Sequence, residues 1–281
     1  MKILDNKKFT DFKNRLASQG INNLYLVSDF DSTLIRPYID GKFIPSLMGL
    51  LRDRDLLPDA WRKRSSEMYN YYVNKVEKNP DLPFEERISL MDEWWRKVYD
   101  LLVQYGFKYE HIISIAHDLR LEYAKGAKEF IKWSSDHQVP LIIMSASGLG
   151  TDCIEEFIKI RGDFDENIKV ISNTLKWDKH GNFTGAEAPF VHSMNKNGEL
   201  IRKFGVFEKI KTKQLAVLFG DDIGDANMLD GIEADTLKVF MNLTEAEIGP
   251  KVKNLFDLAF DLEDSFIDLL ELLNLVDGNK R

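Results

Sequence analysis

Residues 24–35 read LYLVSDFDSTLI: a largely apolar run, Leu24–Ser28, ends abruptly in Asp29 and Asp31 on either side of Phe30. Five such residues bounded by a polar cluster are too few for a helix and read as a buried strand. Two like charges at the tip of a buried segment repel each other and lose hydration. A chain that keeps them there needs a use for them.

Outward from this strand, PLIIMS (Pro140–Ser145), IKVISN (Ile168–Asn173) and LAVLFG (Leu215–Gly220) are further buried runs, and TLKVFMN (Thr236–Asn242) is a fifth. Helical patterns separate them, such as AKGAKEFIKWSSDH before the second run and CIEEFIKI after it. This alternation predicts a doubly wound, parallel α/β sheet. LKWDKHGNFTG interrupts it with an expected hairpin, because His180-Gly181-Asn182 supplies turn chemistry between two short runs. Residues 37–121 differ. They show helical periodicity and aromatic-rich stretches, WRKRSSEMYNYYV and MDEWWRKVYDLLVQYGF, with no convincing strand. We read them as an inserted helical cap domain over the strand ends, with residues 1–36 and 122–281 as the α/β core.

At 281 residues, 44% hydrophobic and 30% charged, the chain can bury a sizeable core. Its net charge of -8 supplies no global basic footprint and argues against nucleic acid as a partner. No apolar run approaches the roughly 20 residues that span a bilayer. The start, MKILDNKKFTDFKNRL, interleaves charges with apolar residues as an amphipathic helix does, unlike a signal peptide. The single cysteine, Cys153, allows no intramolecular disulfide and reads as a small core residue of a helix. The expectation is a cytoplasmic protein without a membrane partner, in which the sequons NFT at Asn182 and NLT at Asn242 are chance matches. Composition leaves the oligomeric state open.

Open α/β sheets bind ligands beyond the carboxyl ends of their strands. There the first run carries Asp29-Phe30-Asp31-Ser32-Thr33, the second Ser145-Ala146-Ser147-Gly148, and the fourth Asp221, Asp222 and Asp225 in GDDIGDANM. Lys196 stands between the third and fourth runs, in VHSMNKNGEL. Singly, each has a plain reading. Asp29 could cap a helix or form a turn, Ser145 could be an N-cap, GDD is a common turn, and a lone lysine is usually solvated. The five histidines show no metal-ligand spacing, and SGLG around Gly148 and Gly150 is not a full dinucleotide fingerprint. Joint occurrence, in order, at the strand ends outweighs the separate readings.

Together, DFDST at 29–33, Ser145 after an apolar run, the isolated Lys196 and GDDIGD at 220–225 resemble the four motifs of haloacid-dehalogenase-superfamily phosphotransferases, which have a Rossmann-like core. Within that superfamily the chain is similar to the cytosolic pyrimidine 5′-nucleotidase (class III) family, through MDEWW (Met91–Trp95), VISN (Val170–Asn173), VHSMNKNG, GDDIGDANMLDG and LKVFMN. Two features depart from that pattern. SASGLGTD stands where the family has Ser-Ala-Gly-x-Gly-Asp, and Asp222 where it tends to have serine. They bear on substrate range and leave the phosphotransfer residues intact.

The resemblance implies that Asp29 attacks phosphorus to form an aspartyl phosphate, and that Asp31 is acid to the leaving alkoxide and then base to water. Neighbouring carboxylates raise the pKa of Asp31, which suits that role. A phosphate dianion approaching Asp29, Asp221 and Asp225 meets a repulsion of roughly 4 kcal/mol per unit charge at ~4 Å for an effective dielectric of about 20. A cation is therefore required, and few carboxylates in an all-oxygen site suit Mg²⁺. The resemblance assigns its ligands to Asp29, the Asp31 carbonyl and Asp221, with Asp225 nearby or acting through water. It further implies that Lys196 neutralises phosphate charge, that Ser145 and Ala146 hold a phosphoryl oxygen, and that Glu93 with Trp94 meets a nucleobase. The expected activity is hydrolysis of a nucleoside monophosphate, pyrimidine in particular. The rivals are another phosphatase of the superfamily, such as a phosphoserine phosphatase, and a non-catalytic binding module, which would lack an essential residue; none is lacking.

Overall fold

The computed structural model describes residues 1–242, 248–261, 264 and 266–271. Its strands, in chain order, are β1 (Lys2–Ile3), β2 (Leu24–Ser28), β3 (Tyr38–Ile39), β4 (Lys42–Phe43), β5 (Leu141–Met144), β6 (Ile168–Ile171), β7 (Thr174–Trp177), β8 (Phe183–Glu187), β9 (Leu215–Gly220), β10 (Asp235–Asn242) and β11 (Leu258–Asp261). Seven of them form one sheet in the order β1-β11-β10-β9-β2-β5-β6, parallel except at β1. The chain enters at β2, moves outward through β5 and β6, then returns past β2 to build β9, β10 and β11 on the other flank. The strand order therefore reverses between β2 and β9.

The helices explain why the central strands are continuous apolar runs. α1 (Asn6–Gln19), α6 (Ala127–Asp136) and α7 (Gly150–Lys159) contribute Phe12, Phe130 and Phe157 to one core, with Leu24 and Leu26 of β2 and Leu215, Val217 and Phe219 of β9. α8 (Gly198–Lys203), α9 (Phe207–Ile210) and α10 (Pro250–Leu255) contribute Ile201, Ile210 and Val252 to a second core, with Tyr25, Val27, Ala216 and Leu218. Alternate residues of a strand face opposite sides, and here both sides are covered. The doubly wound expectation is met. Cys153 is fully buried in α7.

Residues 37–121 contain α2 (Leu47–Asp53), α3 (Asp59–Tyr72), a π-helical turn (Val73–Glu77), α4 (Phe84–Gln104) and α5 (Tyr109–Ala116). Contrary to the strand-free expectation, they open with the β3–β4 hairpin, turned by Asp40 and Gly41 at φ 50° and 72°. Two-residue strands are too short to show alternation, and the Asp-Gly pair was the available signal. The expected β7–β8 hairpin forms, and the segment after α4 is tied to it: Tyr109 N donates to Gly181 O (2.9 Å) and Phe183 N to Phe107 O (2.9 Å). Asn182 lies in that turn, exposed. Of the second sequon, Leu243 and Thr244 lie outside the described residues. No helix among the described residues is long and apolar enough to cross a membrane.

Candidate active site

β2 and β9 pair in register from Leu24↔Leu215 to Ser28↔Phe219, so Asp29 and Asp221 emerge side by side where the strand order reverses. Asp29 N still donates to Phe219 O (3.0 Å), which anchors the first carboxylate to the sheet. After Phe30 the chain turns sharply, with the amides of Leu34 and Ile35 both donating to Phe30 O (3.0 and 3.1 Å). In an extended strand Asp31 would share a face with Asp29, two residues further from the sheet. With the turn, both line one cavity of about 330 Å³. Thr33 Oγ1, also in the turn, donates to Asp221 Oδ1 (3.2 Å).

Asp225 is fully buried and comes from the short 3₁₀ turn Ile223–Asn227. Its Oδ2 accepts from Asp222 N (3.0 Å), while Asp222 Oδ1 accepts from Gly224 N (2.7 Å). Asp222, the departure from the serine pattern, thus caps the turn that presents Asp225. Gly220 permits the approach: a Cβ there would lie 2.2 Å from Asp225 Cβ. Lys196, almost completely buried, pairs with Asp225 and reaches Asp29 Oδ1 (3.2 Å).

These charges perturb one another. Burial alone would lower the Lys196 ammonium, but Asp225 and Asp29 outweigh it and raise its pKa. Burial, then Asp29, raises Asp31 to about 7, opposed by the Leu47 amide that donates to its Oδ1 (3.3 Å). Burial, then Asp29 and Asp225, pushes Asp221 well up, and Asp225 rises to about 6. The carboxylates of Asp29, Asp221 and Asp225 can each place an oxygen within 4.8 Å of the others. One ammonium among three crowded carboxylates leaves net repulsion, and the donors are all hard oxygens. That set fits a small divalent cation.

The serine loop forms the opposite wall. Ser145, Ala146 and Ser147 line the cavity, and Ser145 Oγ accepts from Ser147 N (3.2 Å), leaving its own O–H to donate. Gly150 starts α7 at φ 65°, with the space of a Cβ only 2.1 Å from Asn173 O. Asp152, the end of SASGLGTD, faces away and accepts from Trp177 Nε1 (3.1 Å).

Near-parallel rings form a column on the helical side: Tyr72–Trp94 (5.6 Å between centroids), Trp94–Trp95 (5.1 Å) and Trp95–Tyr99 (5.8 Å). Trp94 lines the cavity, but its ring faces are turned to Tyr72 and Trp95. Glu93 is not among the lining residues. It accepts from Tyr72 Oη (2.7 Å) and pairs with Lys97. The sequence missed other cavity residues. Ser46 caps α2, and Arg52, half-buried on the same helix, lies with its guanidinium 4.6 Å from the Tyr69 ring centre. His192 is fully buried; its Nδ1 accepts from Met194 N (3.3 Å), so the proton is on Nε2, 3.7 Å from Asp92 Oδ1. None carries a local signal, since a lone Arg, Ser or His reads as surface or core.

The model of the family described as Pyrimidine 5'-nucleotidase (UMPH-1) matches residues 32–276. The chain belongs to that family. It is 30% identical to a human 7-methylguanosine phosphate-specific 5'-nucleotidase over 94% of this chain and 85% of the relative. Among solved structures it is similar to cytosolic 5'-nucleotidase IIIB bound to cytidine, with a TM-score of 0.86, 25% identity and coverage of 99% of this chain and 93% of the other. A phosphoserine phosphatase in apo form shares 19% identity at a TM-score of 0.51, covering 88% of this chain and 97% of that one. That likeness shows the haloacid-dehalogenase fold alone. The chain is thus a 5′-nucleotidase, a hydrolase of phosphoric monoesters.

Proposed function

We propose that the protein is a Mg²⁺-dependent, cytoplasmic 5′-nucleotidase that dephosphorylates nucleoside monophosphates through an aspartyl phosphate on Asp29. The observation that carries this is the meeting of Asp29, Asp31, Asp221, Asp225 and Lys196 in one cavity at the point of strand reversal. Asp29, Asp221 and Asp225, with the Asp31 carbonyl, would hold the cation, which offsets the charge between the acids and a phosphate dianion. The Asp29 carboxylate attacks phosphorus as the bond to the ribose oxygen breaks, and Asp31 donates its proton to that oxygen. Asp31 then takes a proton from water, whose oxygen attacks phosphorus, releasing phosphate and restoring Asp29. Its pKa of about 7 lets it both give and take a proton near neutrality. Lys196 holds Asp29 and offsets phosphoryl charge, and Ser145 with Ala146 binds a phosphoryl oxygen.

In this reading residues 37–121 act as a cap that reads the leaving group, with Glu93 and Trp94 at its base-facing end. Phosphate release with Mg²⁺ from UMP, CMP, GMP and phosphoserine tests the proposal. Turnover of the nucleotides is expected, with loss of at least ~10³-fold in Asp29→Asn. Turnover of phosphoserine alone, or an active Asp29→Asn variant, would overturn it.

A further inference from the structure

One donor in the cavity wall has no use in the phosphotransfer chemistry. His192 is fully buried, and its Nε2–H makes no hydrogen bond among the described residues. A buried donor left unpaired is costly. The acceptor it faces is Asp92 Oδ1 on α4, 3.7 Å away and roughly 0.5 Å beyond hydrogen-bond reach. Asp92 is half-exposed and, among the described residues, accepts no hydrogen bond. Arg96 and Lys203 act on its charge without forming an ion pair with it.

The two residues come from different parts of the chain. Asp92 belongs to the insertion, and His192 to the core loop that leads to Lys196. The insertion already rests on the core at two other points. Ser193 Oγ donates to Glu77 of the π-helical turn. Gly148 of the serine loop lies so close under α4 that a Cβ there would be 2.4 Å from the Trp95 ring. At the third point, His192 and Asp92 stand just short of contact.

The loop is built to carry a movement at His192 onward. Asn195 closes it into a hook: its N donates to His192 O (3.1 Å), its Oδ1 accepts from His192 N (2.9 Å), and its Nδ2 donates to Phe190 O (2.8 Å). Lys196, which pairs with Asp225 and reaches Asp29, is the next residue.

We propose that His192 and Asp92 are positioning residues that lock α4 to the Lys196 loop when substrate is bound. The cap advances by less than an ångström, Nε2–H donates to the Asp92 carboxylate, and the Asn195 hook sets Lys196 against Asp29 and the phosphoryl group. The inference rests on the nucleotidase reading above.

The test reads the imidazole proton directly. Asp29→Asn, whose amide is a poor nucleophile, should hold UMP and Mg²⁺ without turnover. In NMR spectra of this protein with labelled histidine, UMP should move the His192 Nε2–H signal downfield. Its exchange with water should slow by about tenfold, as one hydrogen bond to a charged group allows. Asp92→Ala in the same protein should abolish both changes, and Asp92→Asn, which keeps an acceptor oxygen, should retain them. In the active enzyme Asp92→Ala should lower kcat/KM for UMP about tenfold, yet cost nothing further once Lys196→Ala is present. A signal that stays in place with UMP bound, or an equal loss with and without Lys196, would overturn the inference. Binding of UMP is followed by calorimetry, and phosphate release by the wild type is measured separately. UMP that binds and moves the signal but is not hydrolysed would refute the nucleotidase reading and leave the lock standing, whereas failure to bind UMP would refute both.

Discussion

His192, between the serine loop and α4, is held neutral because burial lowers its pKa from 6.5 to about 4. As pH falls, the unfolded chain takes up the proton first. The stability this histidine contributes is therefore complete above pH 6.5 and declines toward pH 4, by about 1.4 kcal/mol per pH unit. Raised carboxylates such as Asp31 and Asp225 act in the opposite sense and are common to wild type and variant. Asp92, 3.7 Å away, would soften the effect. Urea unfolding across this range should show a shallower acid loss in His192→Gln than in the wild type, and identical slopes would refute the assignment. Glu93 poses a second question at this scale. Its carboxylate, 44% exposed, holds Tyr72 and Lys97, which suits either a base contact on ligand entry or support of the ring column. If it contacts the base, Glu93→Ala should raise KM for UMP severalfold more than for a small ester without a base. Equal losses would assign it to the column.

At the scale of elements, Asn173 joins parts that the chain brings in separately. It follows β6 and is fully buried; its Nδ2 donates to Ser147 O (3.0 Å) and Val191 O (2.9 Å), and its Oδ1 accepts from Val191 N (2.9 Å). One side chain thus ties the serine loop to the loop that leads to Lys196. Asn173→Ala would remove three buried hydrogen bonds and leave backbone groups unpaired, costing about 2–4 kcal/mol. The expected result is a lower unfolding midpoint in urea together with reduced turnover, and a stability change within 0.5 kcal/mol would refute that role, being the range of ordinary surface substitutions, roughly ±0.5 kcal/mol. IKVISN reads in sequence as a strand through Asn173, whereas β6 stops at Ile171. What Asn173 does afterwards was not legible, because its three partners lie 18 and 26 residues away. β2 and β9 were legible to the residue, since burial on both faces demands an unbroken apolar run. β1, β3 and β4 have two residues each and leave no such trace.

For the whole molecule, the crowding of Asp29, Asp221 and Asp225 makes the folded chain a better host for a divalent cation than the unfolded one. At a Mg²⁺ concentration ~100 times its dissociation constant, binding should add about 2.7 kcal/mol, which corresponds to roughly 5–10 °C in Tm for a chain of this size. Differential scanning fluorimetry with and without Mg²⁺ checks this. Asp221→Asn should shrink the shift, and a shift that is absent, or unchanged in the variant, would refute the proposed site. Chelation should abolish phosphate release and be reversed by excess Mg²⁺.

By itself the sequence determined the alternation of strands and helices, the helical run between Leu47 and Ala116, and which strand ends carry the acids and the serine. Those features are local: the period of burial and the residue that follows an apolar run are written within a few positions of each other. Tertiary structure alone decided the rest. The turn after Phe30 folded Asp31 back into the cavity that Asp29 lines, and the reversal of strand order set Asp29 against Asp221. Packing of α2 on α3 set the Arg52 guanidinium over the Tyr69 ring at the cavity wall, and the ring column turned the faces of Trp94 to Tyr72 and Trp95. The physical reason is the same in each case. A side chain's charge state and free faces depend on neighbours far away in the chain, and those neighbours exist only once the chain has folded.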